Sequence, residues 1–323
     1  MLNKKGFFIK TFKAFALFFG FFFISIILLG FLIYRANHNL YIEDSKNSVE
    51  SVLSLTQELI AHEKQLALSV ALMISQNEAI KKAYLNNDRK YAFETISQEI
   101  QKVKQYLEIE NLDIQLHTKN AKSFVKSWDF DTYGDDLSSF RKGITLMQQN
   151  RLPLVSVELG KRLNIKALCP IFDKNIYIGS LEVIMGFDEI AEKLDTKKIH
   201  FLVLMDNEFL EIGENMKDLE QINDYVVISN NCTPNCKDIL TSIISKATLE
   251  EGFMRKEGFL FGFTPLFDIN AMRVGYIGIW FSESLLKESF LLRATLTPST
   301  KPLHVNDINA SETFHTQSEI IIR

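Results

Sequence analysis

KALCPIFDKNIYIGSLEVIMGF, residues 166–187, returns further along the chain as LFGFTPLFDINAMRVGYIGIWF, residues 260–281. Both copies read proline, a branched aliphatic, Phe-Asp, a short polar turn, and then a glycine that opens an alternating apolar strand: Pro170-Ile171-Phe172-Asp173 with Gly179, and Pro265-Leu266-Phe267-Asp268 with Gly275. Alternation of apolar and polar residues is the signature of a half-buried strand, and a turn between two such runs makes a hairpin. A hairpin repeated within one chain implies two sheets of the same design.

The flanking sequence extends each sheet. Upstream of the first copy, LDIQLH (112–117), the turn TKNAK and SFVKSW (123–128) read as strand, turn, strand, and LVSVEL (154–159) supplies another strand beside IKALCPIF (165–172) and YIGSLEVIMGF (177–187). DDLSSFRKGITLMQQ (135–149) reads as an inserted helix with Asp135 or Asp136 as its N-cap. The second sheet is expected to begin with HFLVLMDNEFLEIG (200–213), two short strands separated at Asp206-Asn207, with a helix from Asn235 to Lys246 in the place of the inserted one. The fold class is therefore α/β, of the α+β kind, with two tandem antiparallel sheets carrying helices.

Before the sheets the periodicity is helical. Val49, Val52, Leu53, Leu59, Ile60, Leu66, Val70, Met73 and Ile74 recur at three- and four-residue steps, which predicts a long amphipathic helix. Polar Thr56 and Glu63 interrupt the stripe, so a helix lying partly on its own domain is expected in preference to a permanent coiled coil, although a homodimer paired along it stays open. NNDR (86–89) supplies a break before a second helix over 91–107. Residues 14–34, AFALFFGFFFISIILLGFLIY, hold no charge and are long enough to cross about 30 Å of hydrocarbon. Lys4, Lys5, Lys10 and Lys13 precede this run without an acid, whereas Glu43 and Asp44 follow it; the asymmetry places residues 1–13 in the cytoplasm and the rest outside. A cleaved signal peptide is the rival reading, opposed by the length of the run and by Tyr34 where a small residue is wanted.

The formal net charge of −4 excludes a basic nucleic-acid surface. An oxidising compartment permits Cys232 to pair with Cys236 across CTPNC, or leaves them two free thiols, and Cys169 in ALCPIF reads as a small buried hydrophobe. The six histidines are scattered, so neither a metal site nor a cofactor is expected, and no nucleophile–base pair, phosphate loop or dinucleotide fingerprint is present. The chain reads as a non-enzyme.

With those elements in place, SFVKSWDFDTYGDDLSSFRKGI and VSVELGKRLNIKALCPIFDKNIYIGSLEV resemble the double Cache extracytoplasmic sensors of bacterial chemoreceptors and sensor kinases. The resemblance runs over about residues 36–290; residues 123–187 are its specific part. It implies PAS-like sheets, and together with the apolar run and a Thr/Ser/Asn-rich C-terminal stretch it gives the following expected order: transmembrane helix 14–34, helical stalk 36–107, membrane-distal subdomain 108–190, membrane-proximal subdomain 199–282, terminal helix 283–294 and a disordered tail 295–323. It also implies a distal pocket between the first sheet and its inserted helix and loops. Trp128, Tyr133 and Arg141 are candidates to cover that sheet, an aromatic wall with one guanidinium being suited to an organic acid, amino acid or amine. Where the family commonly carries an acid and an arginine, this chain has Glu158 and Lys166, which also read as a simple cross-strand ion pair. Glu182 faces either the pocket or solvent. The second membrane helix and output region of a full receptor do not follow residues 282–294. Two readings stand together: a sensor module for chemotaxis, two-component or cyclic-nucleotide signalling whose output lies elsewhere, and a membrane-tethered periplasmic binding or scaffold protein.

Overall fold

The computed structural model describes residues 4–107, 109–231 and 237–287. Helix α1 (Lys4–Ser75) is continuous. Its apolar residues from Phe21 to Tyr34 are exposed all round, with no protein surface against them, whereas Val49, Val52, Ile60, Ala67, Val70, Ala71 and Ile74 form one buried stripe. Thr56 and Glu63 do not interrupt that stripe but belong to it, both buried. The Thr56 hydroxyl is satisfied locally by donating to the Val52 carbonyl at 2.8 Å. The helix ends at Ser75, just past the last residue of the periodic stripe and well before the expected break at NNDR, because the Asn77 side chain accepts from the Ala79 amide at 2.8 Å and caps a new helix, α2 (Glu78–Leu85). The expected break at NNDR separates α2 from α3 (Arg89–Leu107).

The first sheet has the order β2-β1-β5-β4-β3, from β1 (Leu112–Thr118), β2 (Ser123–Lys126), β3 (Leu154–Leu159), β4 (Leu163–Asp173) and β5 (Ile176–Met185). Helix α4 (Lys142–Asn150) is inserted between β2 and β3. It starts later than expected: Asp136 is engaged in a turn, accepting from the Ser138 amide at 2.9 Å, and residue 136 bridges back to Lys122, so neither aspartate caps the helix. Helix α5 (Asp188–Asp195) leads to the second sheet, of order β7-β8-β6-β11-β10-β9, from β6 (His200–Asp206), β7 (Gln221–Ile222), β8 (Tyr225–Asn230), β9 (Phe253–Lys256), β10 (Phe259–Phe267) and β11 (Arg273–Ser282). The strand expected after Asp206-Asn207 is instead a 3-10 helix, Asn207–Glu211, since Phe209-Leu210 sets two apolar residues side by side where a strand needs alternation. The strand beside β6 is β8. The helix expected over 235–246 is described as α6 (Lys237–Ile243), followed by a separate α7 (Lys246–Glu251) whose N-cap Ser245 accepts from Thr248. Helix α8 (Ser284–Lys287) opens the expected terminal helix; Cys232, Cys236 and residues 288–323 lie outside the described residues.

Setting β7 aside, the two sheets share one strand order, and the repeated hairpins share an irregularity. The register shifts between Ile171 and Phe172 in the β4–β5 pair and between Leu266 and Phe267 in the β10–β11 pair. The repeated glycines have a common reason as well. A Cβ on Gly179 would lie 2.6 Å from the His117 carbonyl oxygen, and one on Gly275 would run into the Leu204 carbonyl, so each admits the neighbouring strand closely.

In the first sheet one face is apolar throughout, with Ile114, Leu116, Val157, Ile165, Ala167, Cys169, Ile171, Leu181 and Val183 buried together with the α1 stripe. Cys169 is a free thiol there, pushed up to about 12 by burial. α1 continues along the second sheet, where Gly262 gives Val49 and Leu53 room to approach β10.

Candidate ligand site

The opposite face of the first sheet is polar yet buried. Alternation on β1 puts Asp113, Gln115 and His117 there; β5 adds Ser180, Glu182 and Ile184, β4 adds Lys166, and β3 adds Ser156 and Glu158. Glu182 and His117 are fully buried, and Glu158, Lys166 and Arg141 nearly so. α4 and the loop before it cover this face, anchored by a small apolar cluster of Ala121, Leu137, Ile144, Met147 and Leu168.

Arg141, at the entrance to α4, turns its guanidinium down onto the sheet. It donates to Glu182 through one terminal nitrogen, and its Nε lies 3.5 Å from Glu158. Burial works against its charge, but Glu182 and Glu158 outweigh burial and hold the guanidinium above its ordinary range. Glu158 also accepts from the Gly143 amide at 2.9 Å, which ties the first turn of α4 to β3. His117 lies 3.9 Å from Glu182, too far for a hydrogen bond, and its Nδ1 meets the Ser180 hydroxyl at 3.2 Å. Burial, with Arg141 close by, lowers the imidazole to about 3, so it is neutral at ordinary pH.

Above this layer lies a cavity of about 230 Å³, lined among others by Asp113, Trp128, Leu137, Phe140, Arg141, Arg162, Lys166, Ile184 and Asn215. Of the residues singled out in the sequence, Trp128, Arg141 and Lys166 line it, while Glu158 and Glu182 lie underneath as partners of Arg141. Tyr133 is not in the wall; its ring is stacked by Arg89 at 3.5 Å. Nor is Glu158 opposite Lys166 on the neighbouring strand. The register places Ser156 against Lys166 and Asn164 against Glu158, so the expected cross-strand ion pair does not form.

The charges in the wall are unequally satisfied. Lys126 pairs with Asp135 at 2.8 Å and Lys161 with Glu214 at 3.7 Å. The Lys166 ammonium, nearly buried, donates to the Arg162 carbonyl at 3.2 Å, and no ion pair within 4.0 Å is found for Lys166 or for Arg162 among the described residues. Burial, reinforced by Arg141, pulls Lys166 down to about 8. Asp113 and Lys166 both stand opposite Ile184, on either side of it, which separates their backbones by roughly 10 Å at about 4.8 Å per strand. Asp113 accepts from the Ser127 hydroxyl at 3.2 Å. The site thus offers a cation and an anion across an apolar floor.

Sequence reasoning missed Asp113, Gln115, His117, Arg162 and Asn215. The signal for the first three was present in the alternation of LDIQLH, whose polar set lies on the covered side and not in water. Asn215 comes from the 3-10 turn Glu214–Met216 of the second unit, and no local pattern marks it.

No curated protein matches the chain in sequence. Among solved structures, the sensor domain of the V. cholerae histidine kinase DctB is similar at 13% identity and a TM-score of 0.44, over 73% of this chain and 96% of that one. The ligand-binding domain of the Campylobacter jejuni chemoreceptor Tlp3, in complex with L-valine, is similar at 14% identity and a TM-score of 0.45, over 77% of this chain and 96% of that one. Residues 42–199, which hold the outer part of α1, α2, α3, the first sheet and α5, match the family described as the double sensory domain of two-component sensor kinases, which identifies this stretch as a double Cache sensor domain.

Proposed function

We propose that this chain is a membrane-anchored extracytoplasmic sensor that binds a small carboxylate or zwitterion over its first sheet and passes the event along α1. The observation that carries the proposal is the buried Lys166 ammonium, which opens on the cavity with no carboxylate within 4.0 Å among the described residues, beside an exposed Arg162 that likewise has none. Glu182 and Glu158 offset the burial of this cation only in part and neither touches it; a buried cation without a direct partner is costly, and a ligand carboxylate would supply one. Asp113 suits an ammonium at the far end, and Ile184, Leu137, Phe140 and Trp128 suit the body of the molecule. The repeat itself favours the first sheet. The corresponding face of the second sheet is filled by Leu202, Leu204, Phe261, Phe263, Tyr276 and Trp280 against Leu240 and Ile243; by the shared hairpin, Phe261 stands where Lys166 does.

Anchoring is supported by the one helix among the described residues that is long and apolar enough to cross a membrane, and orientation by the lysines that precede its apolar run.

The test is a thermal-shift titration of the full chain in detergent against the standard amino acids and short mono- and dicarboxylates. A ligand at 100 times its Kd should stabilise by about 2.7 kcal/mol. Lys166→Met should abolish the shift while the variant stays folded, and affinity for a carboxylate should fall as pH rises through about 8, where Lys166 loses its proton. Wild-type affinity in Lys166→Met would overturn the reading.

A further inference from the structure

The cavity over the first sheet is not built by the first sheet alone. The turn that joins β3 to β4 folds over Lys166 and Arg141: a Cβ on Gly160 would stand 2.7 Å from the Lys166 ammonium nitrogen and 3.2 Å from Arg141 Cδ. The outer side of the same turn is docked on the second unit. The Asn215 amide donates to the Lys161 carbonyl at 3.2 Å, the Leu163 amide donates to the Met216 sulfur at 3.3 Å, and Lys161 pairs with Glu214. Residues 207–219 in turn hang between β6 and β7 of the second sheet, with the Asn207 amide donating to the Asp224 carbonyl at 3.0 Å.

Arg162, Asn164 and Asn215 form a partition. On one side is the cavity over the first sheet; on the other is a second cavity of about 320 Å³, lined by these three residues and by Phe187, Met216 and Ile228 among others. A wall with open space on both faces has room to move, in contrast to the close-packed sheets on either side. Its polar side chains are also free to reorganise: among the described residues, no ion pair is found for Arg162 and no side-chain hydrogen bond for Asn164 or Asn215.

On the reading that the first-sheet cavity binds a small anion or zwitterion, we propose that Asn215 is a ligand-contacting residue supplied by the second unit, and that occupancy draws Arg162, Asn164 and Asn215 inward and fixes segment 207–219 against the β3–β4 turn. The ligand then bridges the two units directly. The second sheet, whose own covered face is filled, responds to a molecule bound on the first through this segment as well as through α1.

The experiment uses the full chain in detergent, with the most stabilising member of the amino-acid and carboxylate panel as probe. Hydrogen exchange in residues 207–230 should slow at saturation. Asn215→Ala should weaken binding roughly three- to tenfold, the range for loss of one hydrogen bond. Met216→Ala, which leaves the ligand cavity's lining intact but loosens the docked turn, should also weaken binding and should remove the protection of residues 221–230. Unchanged exchange in 207–230 at saturation, or wild-type affinity in both variants, overturns the inference and leaves the sensor reading standing. A wild-type chain that binds no member of the panel overturns both.

Discussion

Arg141 holds together a layer that would otherwise repel itself. Two glutamates, Glu158 and Glu182, are buried within its reach, and each keeps one oxygen, Oε2, without a hydrogen-bond partner. Removing the guanidinium would leave both carboxylates buried without a direct ionic partner, with Lys166 the one remaining cation nearby, so Arg141→Ala should lower unfolding free energy by about 3–5 kcal/mol, measured by urea denaturation. Neutralising the acids in the same chain, with Arg141→Met, Glu158→Gln and Glu182→Gln together, should recover most of that loss. An Arg141→Ala chain of wild-type stability would mean that the charge is solvated and that the layer is not closed. His117 makes the second prediction at this scale. Its folded-state pKa, about 3, lies below the ordinary 6.5, so the unfolded chain binds the extra proton first as pH falls. Stability is therefore complete above pH 6.5 and declines toward pH 3, by about 1.4 kcal/mol per unit at most. His117→Gln should flatten that slope in a pH series of melting temperatures; an unchanged slope would assign the acid sensitivity to other groups.

Among the elements, the repeated hairpin is the one whose failure is easiest to foresee. Gly275→Ala would drive a methyl group into the Leu204 backbone on β6, which cannot rotate away, and the strands must part; a cost of about 1–3 kcal/mol or more is expected. Gly186→Ala meets only the Asp188 side chain, at 3.1 Å, and should cost clearly less in the same denaturation experiment. Equal effects would remove the close-approach explanation for the repeated glycine. These glycines, the Pro-x-Phe-Asp bends and the alternation of β4, β5, β10 and β11 were legible because each is written in local residue order. What was not legible arises from contacts distant in sequence. Glu63 reads as a break in the α1 stripe, yet it is buried with its Oε2 3.7 Å from Lys193, on α5. Asp135 and Asp136 read as helix caps but are held by Lys126 and by a local turn, and Tyr133 reads as a pocket aromatic but is taken by Arg89. Glu182 reads equally as facing the pocket or solvent until α4 is laid across the sheet. Asn215 reaches the cavity only because the second unit folds against the first.

For the whole molecule, the asymmetry of lysines about residues 14–34 predicts that a reporter fused after Arg293 is active outside the cytoplasm; activity inside would reverse the orientation and remove the sensor from its compartment. One feature of α1 sets how such a molecule would move. From Lys4 to Ser75 it is a single helix, about 110 Å long at about 1.5 Å per residue, and the first discontinuity after its apolar run is at Asn77, beyond the last contact it makes with either sheet's stripe. There is no joint between the apolar run and the sheets, so the angular phase of both sheets about that run is fixed by the number of residues in the rod. Inserting one residue between Arg35 and Tyr41 would rotate both sheets by about 100° relative to the apolar segment, at 3.6 residues per turn, and inserting seven would bring them nearly back into phase.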